Sequence, residues 1–399
     1  MYKSNIGDVT INNWYVQYKK TGGLCMGFLL EGIASITIKQ VVMWGIGGIL
    51  IYLAIAKDFE PSLLLPIGFG AILVNIPMSG AVDQIVNGTH IEGILDFLFK
   101  SGISTEAFPL LLFIGIGAMI DFGPLLSNPF MLMFGAAAQF GIFFTIAAAA
   151  LLGFSLKDAA SIGIIGAADG PTSIFVANYF QSKYIAPITV AAYSYMSLVP
   201  VIQPAAIKLV TTKKERQIRM SYRPASISKR TRILFPIVVT VVAGLIAPTS
   251  VALIGFLMFG NLIRECGVLE RLSETAQQVL VNLITLLLGI TIASSMKAES
   301  FVSLETAMII GLGLFAFVFD TIGGVLFAKV LNLFLKNKVN PMVGAAGISA
   351  FPMSARVIQK MAQKEDNQNF ILMHAIGANV AGQIGSVIAG GIILNIIKP

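Results

Sequence analysis

Long stretches without a charged side chain constrain this chain more than any other feature of its sequence. Six stretches of 18 or more residues contain no Lys, Arg, Asp or Glu. Each is long enough to cross a hydrocarbon layer of about 30 Å as a helix. Charged residues make up 12% of the 399 residues, against roughly a quarter in soluble domains. We therefore expect an all-α fold, a polytopic bundle of membrane helices.

Apolar blocks, cut at proline, glycine and charge clusters, predict where the helices lie. The segment 82–101 is polar enough to form an outside connection or a re-entrant element. Residues 1–37 are mixed and suit a surface helix or a short extra span; they begin with MYKSNIGDVT, so we expect no cleaved signal peptide. The predicted blocks are 38–56, 61–80, 107–122, 128–153, 159–181, 184–207, 232–247, 249–264, 279–296, 304–334, 340–361 and 370–397.

Cysteine and histidine are too rare to support several classes of chemistry. The chain has two of each, Cys25, Cys266, His90 and His374, and they are scattered. This excludes a Cys/His metal cluster, a disulfide framework and a haem pair. No P-loop, kinase signature or Gly-x-Ser-x-Gly motif is present, so the chain does not hydrolyse ATP itself.

Basic residues are concentrated in one loop between two long apolar blocks. The net charge is +7, and nine of the 27 basic residues lie between Lys208 and Arg232, with Glu215 as the only acid there. By the positive-inside rule this loop is cytoplasmic. The charges fix the topology or also dock anionic lipid or an acidic partner. Because they are confined to one loop, they do not indicate nucleic-acid binding.

The chain also repeats itself weakly. Pro61 and Pro248 are each followed seven residues later by Gly-Phe, and Gly166-Ala-Ala-Asp169 has a counterpart in Gly344-Ala-Ala-Gly347. Duplicated halves of inverted topology, with ion sites where helices are broken, are typical of transporters. We expect an N-terminal interfacial segment at 1–37, membrane halves at 38–207 and 232–399, and the cytoplasmic loop at 208–231.

One acidic residue lies among helix breakers inside an apolar block, in Gly166-Ala-Ala-Asp-Gly-Pro-Thr-Ser173. Pro171 removes a backbone donor, and the two glycines relax the backbone around Asp169. An opened helix exposes carbonyl oxygens beside the carboxylate and the hydroxyls of Thr172 and Ser173. Such hard oxygen ligands suit an alkali cation or a proton.

The second half contains a matching break, Asn340-Pro-Met-Val-Gly-Ala-Ala-Gly-Ile-Ser-Ala-Phe-Pro-Met-Ser-Ala-Arg356. Two prolines and several small residues flank Ser349. Arg356 lies seven residues beyond it, or about 10 Å along a helix. A guanidinium placed there, towards a membrane face, can bind a carboxylate through two hydrogen bonds.

Other polar residues in the apolar blocks carry weaker predictions. The last block contains Asn379-Val-Ala-Gly-Gln-Ile-Gly-Ser386, where Asn379 forms an interhelical hydrogen bond or takes part in a site. Asp320 is equally open between a structural and a functional role. Tyr193 and Tyr195 suit the membrane interface as aromatic residues. Alternatively, the phenol of one of them lies near the ion path and passes a proton.

Together these motifs resemble the β subunit of the sodium-pumping, biotin-dependent decarboxylases. The resemblance runs from about Phe59 to the C-terminus. The motifs that carry it, in one order, are 59–70 (FEPSLLLPIGFG), 117–126 (GAMIDFGPLL), 135–141 (GAAAQFG), 166–173 (GAADGPTS), 260–268 (GNLIRECGV) and 379–386 (NVAGQIGS).

The resemblance implies a carboxybiotin decarboxylase subunit that exports Na⁺ across the cell membrane, the inner membrane where there are two. It implies Na⁺ binding at Asp169 and Asn379. It also implies roles for Tyr195 and for the second break, where Ser349 takes part in a second ion site or proton route and Arg356 lies at the carboxybiotin end. In the second break the resemblance implies Na⁺ binding at Asn340, Gly344 and Ser349, and it implies catalytic roles for Arg356, Tyr195 and Ser349.

The resemblance also implies partners. Carboxybiotin comes on a separate biotin carrier protein or domain, loaded by a carboxyltransferase α subunit, beside a small membrane γ/δ subunit and membrane lipid. Homo-oligomerisation, the Na⁺/H⁺ stoichiometry and the acid that feeds the biotin are left open.

Chemistry agrees with this assignment. Releasing CO₂ from carboxybiotin leaves a ureido nitrogen that must take up a proton, and protons displaced by Na⁺ at Asp169 and Ser349 could supply it. Two other readings compete: a secondary Na⁺/solute transporter with the same broken helices, and a membrane anchor for an assembly. The anchor does not account for polar residues at the helix breaks.

Overall fold

The computed structural model of the chain describes residues 32–58, 61–86, 89–222 and 226–397. The interfacial segment predicted at 1–37 lies outside the described residues up to residue 31. The α-helices are α1 (Ile38–Lys57), α2 (Pro61–Val74), α3 (Ile94–Leu98), α4 (Ala107–Met119), α5 (Gly123–Ser127), α6 (Leu132–Ala137), α7 (Phe140–Leu151), α8 (Leu156–Gly163), α9 (Gly170–Tyr179), α10 (Ile185–Val210), α11 (Lys213–Arg216), α12 (Lys229–Ile246), α13 (Val251–Cys266), α14 (Glu270–Glu274), α15 (Val281–Ile292), α16 (Ala298–Phe301), α17 (Leu304–Phe334), α18 (Met342–Ala345), α19 (Met353–Glu365) and α20 (Leu372–Ile396).

Shorter helical turns extend several of these helices. They are π-helical at Phe99–Ser104 and Thr275–Leu280, and 3₁₀-helical at Pro129–Met131, Ile164–Ala167, Pro248–Ser250 and Ala293–Ser295. Within the described residues, strand structure is limited to β1 (Gln84–Val86) and β2 (Thr89–Ile91), which pair antiparallel with Ile85 opposite His90.

Seven helical segments of the described chain are long and apolar enough to cross a membrane. An eighth crossing forms if the bent pair Ile94–Ser104 and Ala107–Met119 counts as one span. The predicted all-α polytopic bundle is therefore confirmed. The seven segments are Ile38–Lys57, Pro129–Leu151, Ile185–Val210, Pro248–Cys266, Glu270–Ser295, Leu304–Phe334 and Leu372–Ile396.

The polar segment 82–101 divides into two parts. Its beginning forms the β1–β2 hairpin, which agrees with an outside connection. Its end is helical and continues into α4 after a bend of 59°. The apolar block predicted at 107–122 is thus only the second arm of this bent pair, because the lower hydropathy of the first arm concealed it.

The break around Asp169 reverses the chain, so the span predicted at 159–181 is wrong. The Ser182 hydroxyl donates to Asp158 Oδ1 at 2.6 Å, although a straight helix of 24 residues would separate them by about 36 Å. The reversal occurs at Ala168, which has a left-handed φ of 52°, and at Asp169, which is extended. Residues 155–182 therefore form a re-entrant element, the first hairpin.

The break in the second half also reverses the chain, so the span predicted at 340–361 is wrong in the same way. The Asn340 side-chain amide donates to the Arg216 carbonyl at 2.8 Å, and Arg216 Nε donates to Glu365 at 2.8 Å. Residues 25 positions apart thus bind the same residue, whereas a straight helix would place them about 38 Å apart. Residues 340–365 form the second hairpin.

The tips of the two hairpins meet inside the bundle. The Ser349 N–H in the second tip donates to the Ala167 carbonyl in the first tip at 2.9 Å. Hydropathy measures the apolar length of a segment but not its direction. Sequence reasoning therefore found both breaks but not the reversal.

Two buried asparagines lie at similar but not identical positions in the two predicted halves, 14 residues after Pro61 and 13 residues after Pro248. Asn75, just beyond α2, donates to the Met296 carbonyl at 2.8 Å, and Asn261 in α13 donates to the Ile120 carbonyl at 3.0 Å. Each amide thus binds the backbone just beyond a membrane helix of the other half. These reciprocal contacts favour the two-half organisation, whose boundaries remain a prediction.

The ends of the bundle differ in charge. One end, the basic face, carries the loop from residue 208 to 222 and the elements bound to it. Lys329 pairs with Glu215 there at 3.1 Å, and Arg219 pairs with Asp366 at 2.6 Å. The other end, the acidic face, carries the segment that contains β1 and β2, where Asp83, Glu92, Asp96 and Glu106 outnumber Lys100, which pairs with Asp83 at 3.2 Å.

Candidate functional site

Asp169 lies at the tip of the first hairpin, where it begins α9. Its side chain accepts from the Thr172 N–H at 3.2 Å and the Thr172 hydroxyl at 2.7 Å. The Ser173 hydroxyl donates to the Asp169 carbonyl at 2.8 Å. The residue is 3% exposed. A carboxylate at a helix N-terminus is favoured by the helix dipole, which explains why an acid caps α9 here.

Helix α20 supplies the remaining contacts of this carboxylate. The Ser386 hydroxyl donates to Asp169 Oδ2 at 2.8 Å, and the Gln383 amide donates to the same oxygen at 3.1 Å. No basic side chain of the described residues forms an ion pair with Asp169. The negative charge is thus held only by neutral donors, which is an arrangement suited to binding a cation or a proton.

The second tip contacts the same helix one turn earlier. The Ser349 hydroxyl donates to the Gly382 carbonyl at 3.1 Å, and the Asn379 amide donates to the Ile348 carbonyl at 2.6 Å. The other polar atom of Asn379, Oδ1, is buried and has no hydrogen-bond partner among the described residues. Asn379 of α20 therefore has one amide oxygen, beside the second tip, that is free to accept a ligand.

A single stripe of α20 joins the two tips. Asn379, Gln383 and Ser386 are spaced by four and three residues, so they lie on one face of the helix. Gly382 is part of the same contact, because a Cβ there would overlap the Gly347 carbonyl of the second tip. Glycine thus lets α20 approach the tip closely enough for its polar side chains to reach both hairpins.

The two tyrosines of α10 point to different neighbours, as expected for residues about 200° apart around a helix. Tyr193 packs its ring against Gly170, next to Asp169, and its buried hydroxyl has no hydrogen-bond partner among the described residues. The Tyr195 hydroxyl instead donates to the Ile310 carbonyl of α17. Tyr195 is not brought to Asp169 in this conformation, and its role remains a prediction.

Asn340 and Gly344 position the second hairpin. The Asn340 amide donates to the carbonyls of Arg216 and Ile218, both at 2.8 Å, and its oxygen accepts from the Met342 N–H at 3.0 Å. Gly344 packs backbone to backbone against Gly324 of α17, where a Cβ would overlap a carbonyl. Neither is brought to Asp169 here, so both remain predictions as parts of the ion site.

Arg356 lines a cavity of about 460 Å³ at the basic face. Arg356, Lys360 and Lys364 follow one another at intervals of four residues along α19, and Lys208 approaches from α10. The guanidinium of Arg356 has no hydrogen bond or ion pair with the described residues. Four cations around an apolar floor form a site for an anion that carries an apolar body. The lining residues are Pro200, Pro204, Lys208, Met353, Arg356, Val357, Lys360, Met361, Lys364 and Glu365.

Sequence reasoning missed several members of these sites. Gln383 and Ser386 were part of the polar cluster in the last block, but Asn379 alone was predicted to bind Na⁺. The spacing of four and three residues is the signal that could have identified them. Lys360 and Lys364 could have been found from their four-residue spacing after Arg356.

The fold and the site together indicate the class of membrane protein to which this chain belongs. A multi-pass bundle in which two re-entrant hairpins enclose a buried carboxylate is the architecture of proteins that move cations across membranes. A family described as "Na+-transporting oxaloacetate decarboxylase beta subunit" matches residues 39–397. The chain belongs to this family, so the resemblance found in its motifs is confirmed.

Curated relatives agree with the family. The methylmalonyl-CoA decarboxylase subunit beta of Propionigenium modestum is 47% identical and covers 92% of this chain and 96% of its own length. The glutaconyl-CoA decarboxylase subunit beta of Acidaminococcus fermentans is 48% identical with the same coverage. The oxaloacetate decarboxylase beta chain of Klebsiella pneumoniae is 42% identical over 92% of this chain and 97% of its own. This chain is accordingly a membrane decarboxylase subunit that couples decarboxylation to Na⁺ transport.

Proposed function

We propose that this chain decarboxylates carboxybiotin brought by a separate carrier and uses the reaction to move Na⁺ through the site between the hairpin tips. The observation that carries this proposal is the Asp169 carboxylate, buried where the two tips and α20 meet and held only by neutral donors. An assembly anchor would gain nothing from this costly arrangement.

The donor set near Asp169 suits Na⁺. Besides the carboxylate, the Thr172 and Ser386 hydroxyls can turn their protons away and offer oxygen lone pairs. Beside the second tip, one turn before Gln383 on α20, Asn379 offers an amide oxygen that has no partner among the described residues. Hard cations prefer such oxygens. We assign Asp169 and Asn379 as ligands and keep Ser349, Asn340 and Gly344 as expectations from the resemblance, Ser349 in a second ion site or proton route.

Orientation follows from charge. The positive-inside rule places the basic face in the cytoplasm. The second hairpin then enters from the cytoplasm and the first hairpin from the opposite side. A site between two hairpins that open to opposite sides could be reached from either side in turn, which is what an ion pump requires.

The cavity lined by Arg356 is our assignment for carboxybiotin. The carboxylate of the prosthetic group would face Arg356 and the nearby lysines, while the ring system would lie on Met353 and Val357. Cleavage of the N–CO₂ bond leaves the electron pair on the ureido nitrogen, which takes up one proton as CO₂ departs. Cations near the carboxylate bind and orient the group, and Tyr195 stays a predicted contributor.

The energetics require the two sites to act together. Moving one unit charge outward against 100 mV costs about 2.3 kcal/mol, which decarboxylation must supply. The cavity and the ion site share the second hairpin, since Arg356 lies on its second arm and Ser349 at its tip. A change in contacts at Arg356 could therefore bias the tip that faces Asp169.

Partners follow from the family. A beta subunit works in a multi-subunit complex, and we propose a biotin carrier, a carboxyltransferase α subunit, a small γ/δ subunit and bound lipid as its components, with homo-oligomerisation open. The relatives are named for three different acids, yet they are similar in identity to this chain. This similarity supports our proposal that another subunit selects the acid and that carboxybiotin is the substrate of this chain.

Asp169→Asn tests the ion site in the assembled complex reconstituted into vesicles. We expect Na⁺ uptake driven by decarboxylation to fall about a hundredfold or more, because the amide carries no charge to hold the cation. The exposed Glu305→Gln variant is the matched control and should transport normally. Undiminished Na⁺ transport by Asp169→Asn would remove this residue from the mechanism.

Co-purification of a biotinylated protein with this chain distinguishes the decarboxylase function from the alternative function. A secondary Na⁺/solute transporter should bring down no biotinylated protein, whereas the decarboxylase should. The relatives described above are decarboxylase subunits and lend the transporter no support.

A further inference from the structure

Asp320 is a second carboxyl group buried within a membrane-spanning segment. It lies near the middle of α17 and has no exposed surface. Its Oδ1 accepts from the Ile142 N–H at 3.2 Å, at the start of α7. That helix has no side-chain cap of its own, because Gln139 at its start makes no such bond. Asp320 therefore caps α7 from a different helix.

The other oxygen of this carboxyl group faces the first hairpin. Oδ2 is buried and has no hydrogen-bond partner among the described residues. A Cβ added at Gly166 would lie 2.6 Å from Oδ2, and one added at Gly141 would lie 2.5 Å from Oδ1. Two glycines thus leave the space that the carboxyl group fills, and one of them is three residues before Asp169.

No positive charge of the described residues compensates Asp320. It has no ion pair, and its three neighbours at hydrogen-bond distance or in close contact are the Ile142 N–H, Gly141 and Gly166. The helix α7 dipole favours negative charge at Oδ1 only. The titratable groups on the elements packed against α17 are Tyr193, Tyr195 and Lys208 on α10, Lys157 and Asp158 on α8, and Asp169 beyond the turn that contains Gly166.

None of these groups hydrogen-bonds to Asp320. Tyr195 binds the backbone at Ile310, ten residues or about 15 Å along α17 from Asp320. Lys157, Asp158 and Lys208 lie towards the ends of their helices. An ionised carboxylate in this position would be a buried charge with an unpaired oxygen, which is the costliest state for such a group.

We propose that Asp320 is a proton-binding site, separate from the Na⁺ site, whose occupancy depends on the first hairpin. With the hairpin in the position described, Oδ2 carries a proton and the neutral carboxyl group fits between Gly166 and Gly141. When the hairpin moves away, water reaches Oδ2, the O–H bond breaks heterolytically, and the proton leaves to water. The inference rests on the proposed function only in that the hairpin moves during the pump cycle.

Infrared spectroscopy of the whole complex in vesicles tests this directly. We expect a carbonyl band of a protonated carboxyl group at neutral pH that is present in the wild type and in Asp169→Asn but lost in Asp320→Asn. Absence of the band in the wild type, or its persistence in Asp320→Asn, would overturn the proposal. This readout does not depend on Na⁺ transport, so it is independent of the proposed function.

A second measurement uses Na⁺ transport across a range of pH. Asp320→Asn keeps an oxygen for the Ile142 N–H and remains neutral, so we expect normal assembly and a normal Na⁺ concentration for half-saturation at neutral pH. We also expect the rate of Na⁺ transport to change less with pH than in the wild type. The buried Thr321→Val is the matched control and should keep the wild-type profile. An unchanged profile in Asp320→Asn, or a loss of Na⁺ affinity like that of Asp169→Asn, would contradict a separate proton site.

Discussion

At the scale of residues, the chemistry of the site depends on neutral donors that converge on one carboxylate. The Thr172 hydroxyl comes from the same tip, whereas Gln383 and Ser386 come from α20. Because Gln383 and Ser386 belong to a different element from Thr172, the Asp169 carboxylate has all of its donors only when the first hairpin and α20 are in contact. A cation bound there would strengthen the same contact.

Ser386→Ala tests this arrangement. The change removes one hydrogen bond to a charged group, worth about 1.5 to 3 kcal/mol, and one ligand oxygen. We expect the Na⁺ concentration for half-maximal transport to rise about tenfold or more, with assembly retained. Transport assays at varied Na⁺ measure it.

Ser197→Ala is the matched control for this change. The Ser197 hydroxyl is also buried in a membrane helix, but it donates only to carbonyls of its own helix, those of Tyr193 and Ser194. The control should keep the wild-type Na⁺ dependence. Equal shifts in both variants would argue against Ser386 as part of the ion site.

At the scale of elements, the loop after α10 holds both ends of the second hairpin. The backbone at Arg216 and Ile218 accepts from Asn340 and also from Asn369, at 3.2 and 3.3 Å. Arg219 binds Asp366 through two nitrogens at 2.6 and 3.0 Å. Any opening of this hairpin from the basic face must therefore rearrange the loop.

The ion pair of this clamp predicts a pH dependence. The hydrogen bond from Arg219 holds the pKa of the Asp366 carboxyl below its usual range. A depressed folded-state pKa contributes stability that is present above the unfolded value, about 3.9, and lost as pH falls through the folded-state pKa. Asp366→Asn lacks this contribution at every pH. Its thermal stability should therefore fall less than that of the wild type as the pH is lowered below about 4.

Thermal unfolding in detergent at pH values from neutral to acid measures the effect. The exposed Glu299→Gln on the acidic face, which has no ion pair among the described residues, is the control and should follow the wild type. If Asp366→Asn loses stability with acid as steeply as the wild type, the pair does not clamp the hairpin.

At the scale of the whole molecule, the two hairpins connect the basic face and the acidic face to the same buried region between their tips. The cavity with Arg356 opens at the basic face, and the second hairpin connects it to the buried tips. A chemical event at one end can reach the proposed ion site through this single element. The opposite face approaches the same site through the first hairpin.

Lys360→Gln tests the cavity. Removal of one partly solvated charge from an anion site costs about 0.2 to 1 kcal/mol. We expect the KM for the carboxylated carrier to rise up to about fivefold, with Na⁺ half-saturation unchanged. Lys336→Gln, exposed on the same face outside the cavity, is the control. Equal effects of the two changes would indicate a general surface charge effect.

Much of the site was predictable because its chemistry is local in sequence. The helix breakers around Asp169 and Ser349 predicted where each helix opens, since Gly and Pro act on the backbone within a few residues. The anchoring role of Asn340 and the hydrogen bond from Tyr195 to α17 were not predictable. They depend on which element lies opposite each side chain, and the sequence of a single apolar segment does not indicate its neighbours in the fold.

The sequence by itself determined that the chain is a helical membrane protein, where its helices break and which acid lies at a break. Uncharged length, proline, glycine and carboxylate act at short range, so one segment is enough to reveal them. Only the tertiary structure decided that the broken segments fold back, that their tips meet and that α20 joins them. Those outcomes arise from contacts between residues far apart in the chain, such as Ser349 with Ala167 and Ser386 with Asp169.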